Sequence, residues 1–156
     1  MRRAPARRPL AALATLAMAA TIGVTAISMS AAQAASGNLS LGAGADGSSK
    51  GSGTSYGNVK DGSLSTYWSP SGSTGSISIK WGSATRVSKV NLRETSGASG
   101  RIGAWKLINA DTGAVLKTGT GAGVISFTAT SLKKITFEIT SASSTPQVAE
   151  FETYAG

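Results

Sequence analysis

The chain of 156 residues contains no cysteine and no histidine. Without cysteine, a fold of this size must stand on packing, with at most a metal ion and never a disulfide to help it. Without histidine, Ser-His-Asp chemistry, His-ligated zinc and the usual general base near neutral pH are all excluded. Nowhere does the apolar pattern sustain the 3.6-residue period of an amphipathic helix. Paired carboxylates for hydrolysis are scarce as well. The one close pair, Glu150 and Glu152, lies two residues apart on one expected strand, and so on one face. No basic stripe interleaves with aromatic residues, which argues against nucleic acid as a partner.

What is present begins with a targeting segment. Arg2, Arg3, Arg7 and Arg8 form a basic start, residues 10–27 are an Ala-rich apolar run, and Ala32-Gln33-Ala34 supplies the small residues a signal peptidase requires. Residues 1–34 are therefore expected to be an export signal and the protein to be secreted to the extracellular space. The competing reading, a retained membrane anchor, is weakened by the Ala and Thr in the run. Four of the 15 basic residues lie in this segment and all 7 acidic ones lie after it, so residues 35–156 carry +4 rather than the full +8. No later apolar stretch is long enough to span a bilayer.

Residues 35–156 are expected to form one domain, dominated by Gly, Ser and Thr with short apolar runs. In 76–81, Ile77, Ile79 and Trp81 alternate with Ser76, Ser78 and Lys80; in 135–140, Ile135, Phe137 and Ile139 alternate with Thr136, Glu138 and Thr140. Both are half-buried strands by this pattern. Residues 87–94, 105–109, 115–118, 124–128 and 148–154 read as further strands, and 38–41 as the opening one. The Gly/Ser-rich segment 43–57 reads as a long surface loop. Seven or eight short strands with turns at this spacing predict an all-β sandwich of two packed antiparallel sheets. Trp68, Trp81 and Trp105 fall at core positions of that pattern, leaving Tyr56 and Tyr67 as the exposed aromatic candidates.

The string NVKDGSLSTYW, beginning at Asn58 and ending at Trp68, resembles the signature loop of the discoidin, or coagulation factor 5/8 C-terminal, superfamily, which includes family 32 carbohydrate-binding modules. NLSLG from Asn38, SISIKWG from Ser76 and VAEFETYAG from Val148 fall where that family would put them. VNLRETSGASGRIGAWKL, from Val90, is similar to the C-terminal discoidin-like domain of α-L-fucosidases. The resemblance implies an eight-stranded antiparallel jelly roll without catalytic activity that binds a polysaccharide or glycan through loops at one end. It also implies a structural calcium ion, with Asp61, Thr66 and Glu150 as the matching side chains. Calcium takes six to eight oxygens, so backbone carbonyls from about residue 58 to 63 would complete the shell. The plainer alternative is a turn capped by Asp61, with Glu150 exposed.

For the sugar, the resemblance points to the loop flanked by Arg93, Glu94 and Arg101. Arg offers fixed donors and a carboxylate accepts from paired hydroxyls, whereas an Arg-Glu ion pair that merely pins the loop is the competing account. Tyr56 is the candidate for stacking on a sugar ring, or else a cap on the sandwich end. The chain lacks the His that galactose-binding members often carry in this region. Lys50, Lys60, Arg93 and Arg101, if they converge, would attract an acidic polymer. Loops 48–55 and 95–100 hold no Leu, Phe, Trp or Met, which speaks against membrane insertion. The expected protein is thus a monomeric glycan-binding module, with a protein-binding adhesin as the alternative and a polysaccharide-degrading enzyme behind it.

Overall fold

The computed structural model describes residues 37–155, so the expected export signal at 1–34 lies outside the described residues. Six strands run in the order β1 (Gly44–Gly47), β2 (Gly75–Glu94), β3 (Ala104–Asn109), β4 (Ala114–Thr120), β5 (Gly123–Ile139) and β6 (Val148–Tyr154). All neighbours are antiparallel, in the order β1-β2-β5-β3-β4, with β6 added against β2. A short 3-10 helix, Tyr56–Lys60, precedes β2, and a second, Ser96–Ala98, follows it.

Two expected strands, 76–81 and 87–94, are halves of the single 20-residue β2, and 124–128 and 135–140 are halves of β5. The register between them slips between Lys80 and Thr85 and again between Val87 and Lys89. Such bulges bend a strand pair, and here they fold one sheet over on itself. The first part of β2 pairs with β1 and the end of β5, which continues to β3 and β4; the last part of β2 pairs with β6 and the start of β5. Counted by segment, this is a five-stranded layer and a three-stranded layer, the all-β sandwich that the alternation predicts.

The inward faces meet as one core. Phe137, beside Ile77 in the larger layer, packs its ring 6.2 Å from that of Phe151, beside Leu92 in the smaller one. Trp105 lies 5.4 Å from Phe137 on the other side. Burying each such aromatic contributes about 2–3 kcal/mol, which replaces the missing disulfides as the source of stability. Trp68 and Trp105 are buried as expected, but Trp81 is only half-buried. It stands where β2 begins to slip, and its indole N–H donates to Leu39 O at 3.0 Å.

Two local expectations are corrected. Residues 38–41 form a turn rather than a strand, because Asn38 Oδ1 accepts from Ser40 N and Thr153 N and closes the chain on itself. The segment 43–57 is not all surface loop: Gly44–Gly47 forms edge strand β1. Its composition, GADG, carries no strand propensity, and pairing with 77–80 of β2 imposes the extended form.

Candidate functional site

The signature loop owes its position to two anchors. Val59, inside the 3-10 helix, is fully buried in the core. Trp68, at the far end, exchanges two backbone hydrogen bonds of 2.9 Å with Val148 at the start of β6. Between them the chain must turn, and it does so at Asp61-Gly62, where Gly62 has φ +78°, a left-handed conformation that suits glycine. Asp61 accepts from Ser63 N at 2.9 Å through Oδ1 and from Thr66 Oγ1 at 2.6 Å through Oδ2.

Because Glu150 sits two residues into β6 beyond Val148, this loop lies over it. Glu150 is 2% exposed, so the alternative with an exposed Glu150 does not hold. Its Oε1 accepts from Gly62 N at 2.8 Å, while Oε2 is buried with no hydrogen-bond partner. Burial pushes the Glu150 carboxyl up to about 7; the Gly62 N–H opposes this and the charges of Asp61 and Glu152 add to it. Partial burial works on Asp61 in the same direction, but the hydrogen bonds from Thr66 and Ser63 outweigh it and hold that carboxyl below its usual range. A buried oxygen without a donor, facing a second carboxylate and a hydroxyl, is an oxygen-only donor set that fits a hard cation. No group of three or more His, Cys, Asp or Glu occurs among the described residues, so backbone carbonyls or water would have to fill the rest of the shell.

The four residues with an expected role in sugar binding do not form one cluster. Glu94 lies at the end of β2 and turns its carboxylate into the next loop, where it accepts from Gly100 N, Arg101 N and Ile102 N at 2.7, 3.0 and 2.9 Å. The loop is held by a carboxylate on three backbone N–H groups rather than by an Arg-Glu ion pair. Arg101 donates to Thr145 O and Gly97 O, tying the loops on either side of it together. Arg93, one residue before Glu94 and so on the opposite face, stands on the outside of the smaller layer. There it lies 3.5 Å from Glu152, whose other oxygen accepts from Asn91 and Tyr154. The Tyr154 hydroxyl is pushed up to about 12 by burial and by that contact with Glu152. Tyr56 is half-buried and packs against the core.

Four loops nevertheless make one continuous rim. Gly51 N donates to Ser69 O, Ser69 Oγ to Pro146 O, and Ser143 N to Arg101 O. The segments 48–55, 69–74, 95–103 and 140–147 are thereby joined at one end of the sandwich. Beside this rim a groove of about 340 Å³ opens, lined by Ser48, Thr74, Gly75, Ser76, Glu138, Ile139 and Thr140. The sequence singles out Ser76 and Glu138 only as polar positions of two separate strands; their direct pairing across β2 and β5 is what joins them.

Against solved structures the match extends over the whole described domain. The family 32 module from C. perfringens NanJ, solved in complex with galactose, aligns with a TM-score of 0.66 at 18% identity, over 76% of this chain and 98% of that one. The fold is that of the family 32 carbohydrate-binding modules. Chitosan-binding module 1 from the chitosanase/glucanase of Paenibacillus sp. IK-5 aligns at a TM-score of 0.62 and 24% identity, over 76% of this chain and 98% of that module. A Ruminococcus gnavus GH29 fucosidase aligns at a TM-score of 0.66 and 25% identity, over 76% of this chain. The chain spans only 26% of that fucosidase and 28% of another solved structure, SpGH29. No family model matches the chain, and no curated protein matches it by sequence. Among the described residues no helix is long and apolar enough to cross a membrane.

Proposed function

We propose that the chain is an exported, non-catalytic module that binds a glycan at the loop end of the sandwich. The observation that carries this reading is the correspondence of its described domain with nearly the full length of family 32 modules, one of them solved with galactose. The four-loop rim is the ligand face in this reading. Arg101 acts there with its guanidinium partly exposed, and Glu94 acts as the residue that positions it. Tyr56 and Arg93 would contribute only from the margins, since one packs on the core and the other faces away.

A calcium ion held by Asp61, Thr66 and Glu150 would pin the signature loop to β6 and relieve the unpaired Glu150 oxygen. Its part is structural: it would bring charge compensation to two close carboxylates, while the loop residues themselves set the geometry. Catalysis finds no support in the carboxylates, because Glu150 is covered by the loop and Glu152 is engaged by Asn91, Tyr154 and Arg93.

A glycan array run with and without a chelator tests the reading. Specific glycan signal, reduced when the chelator loosens the loop, is the expected result. A blank array with folded protein would reject glycan binding in favour of a protein ligand. Including polygalacturonate decides the acidic-polymer expectation, since retention by neutral polymers alone would reject it.

A further inference from the structure

The groove beside the rim has a chemistry of its own. Across three adjacent strands, Ser76 of β2, Glu138 of β5 and Lys106 of β3 stand directly opposite one another, on the outward face of the larger layer. Ser48, which follows β1, closes the row: its N–H donates to Ser76 O at 3.0 Å and its Oγ accepts from Ser76 N at 2.9 Å. Gly75 also lines the groove, and a side chain there would meet Pro70 at 2.7 Å and the Ser48 hydroxyl at 3.1 Å. The volume, about 340 Å³, falls at the small end of the roughly 300–1,000 Å³ typical of ligand pockets. That is room for a sugar unit or two rather than a polymer in cross-section.

No aromatic ring lines the groove, so a ligand gains little from stacking and must be held by polar contacts. The lining favours donors. The Thr140 hydroxyl spends its hydrogen on Ala104 O at 2.9 Å and can only accept from a ligand. Glu138 is the one charged side chain in the lining, and its only ion-pair partner among the described residues, Lys106 Nζ, stays 4.0 Å away. At that distance, on an exposed surface, the pair is weak and readily exchanged. An incoming ammonium that reaches hydrogen-bond distance would outcompete it, whereas a uronate would be repelled by Glu138.

We propose that this groove is a subsite for a protonated amino sugar, with Glu138 accepting from the ammonium and Ser48, Ser76 and Thr140 taking its neighbouring hydroxyls. It deepens the glycan-binding reading and rests on it. Because Lys106 competes for the same carboxylate, its removal strengthens binding, an effect that a scaffold role for the pair would not produce.

The experiment is calorimetric titration of the folded domain at about pH 6, where such an amine is charged, with glucosamine oligosaccharides and their N-acetylated counterparts. Wild type is expected to bind the free-amine series more tightly. Glu138→Gln should weaken that binding about tenfold, and Lys106→Ala should tighten it by a factor of about three. Both side chains lie on the surface, so melting temperatures should hardly move. Equal affinity for the two series, or unchanged affinity in Glu138→Gln, overturns the assignment. Binding of neutral glycans without preference for the amine sinks this inference alone; binding of no glycan sinks the glycan reading with it.

Discussion

Replacing Glu94 with alanine should cost this domain far more than a surface carboxylate normally does. Three backbone donors, Gly100 N, Arg101 N and Ile102 N, converge on it within 3.0 Å. A hydrogen bond to a charged acceptor contributes about 1.5–3 kcal/mol when shielded and less in water. Two of the three are part-buried and one is exposed, so about 3 kcal/mol is the expected loss after discounting for solvent. For a domain of this size each kcal/mol moves the melting temperature by roughly 4 °C, giving a drop of about 12 °C. Glu94→Gln keeps one acceptor oxygen without the charge and should lose about half as much. Thermal and urea unfolding followed by tryptophan fluorescence reads the loss, because Trp105 lies just beyond this loop. A drop below about 2 °C together with lost glycan binding would refute the reasoning and make Glu94 a ligand contact instead of a loop anchor.

Millimolar calcium should raise the melting temperature of wild type over its value in chelator, by about 2.7 kcal/mol of stability at a hundredfold excess over Kd; Glu150→Gln should abolish the difference, and a calcium response surviving in that variant would remove Glu150 from the shell. Phe137→Ala should cost about 3–5 kcal/mol in urea unfolding, since it empties the contact between the two layers. Burial opposes ionisation of Asp46, but hydrogen bonds from Lys134 and Lys80 prevail and depress its pKa. Stability from that cluster is therefore present above the unfolded carboxyl's pKa and disappears as pH falls through the folded value. Asp46→Asn should flatten the acid side of the stability profile, and an unchanged profile would show that the lysines contribute nothing. Arg101→Ala should weaken glycan binding while costing only the two hydrogen bonds to Thr145 and Gly97, about 1–2 kcal/mol in denaturant.

Much of the sandwich was legible because its signal is local. Alternation of Ile77, Ile79 and of Ile135, Phe137, Ile139 with polar neighbours states which side faces the core without reference to anything else. Asp61-Gly62 states its turn in the same local way. Where signals weakened, the reading slipped: Gly82, Ser83 and Ala84 carry no alternation, so the continuous β2 looked like two strands. Gly44–Gly47 became a strand only because β2 offered an edge.

The polar residues followed a different rule. Arg93, Glu94 and Arg101 are close in sequence, yet neighbours on a strand face opposite ways, so Arg93 meets Glu152 on the outside of the smaller layer while Glu94 turns into the next loop. Conversely, Ser76 and Glu138 lie 62 positions apart and meet directly.

By itself, then, the amino-acid order determined the class of fold, its inward face and the turn that could cradle a cation, all of which depend on residues within one or two strand periods of each other. Only the tertiary structure decided that Glu150 is buried with one oxygen unpaired, that Glu94 serves the backbone of a loop, and that Glu138 faces a groove. Those outcomes depend on register and bulge across strands far apart in the chain, where a shift of one residue turns every side chain to the other face.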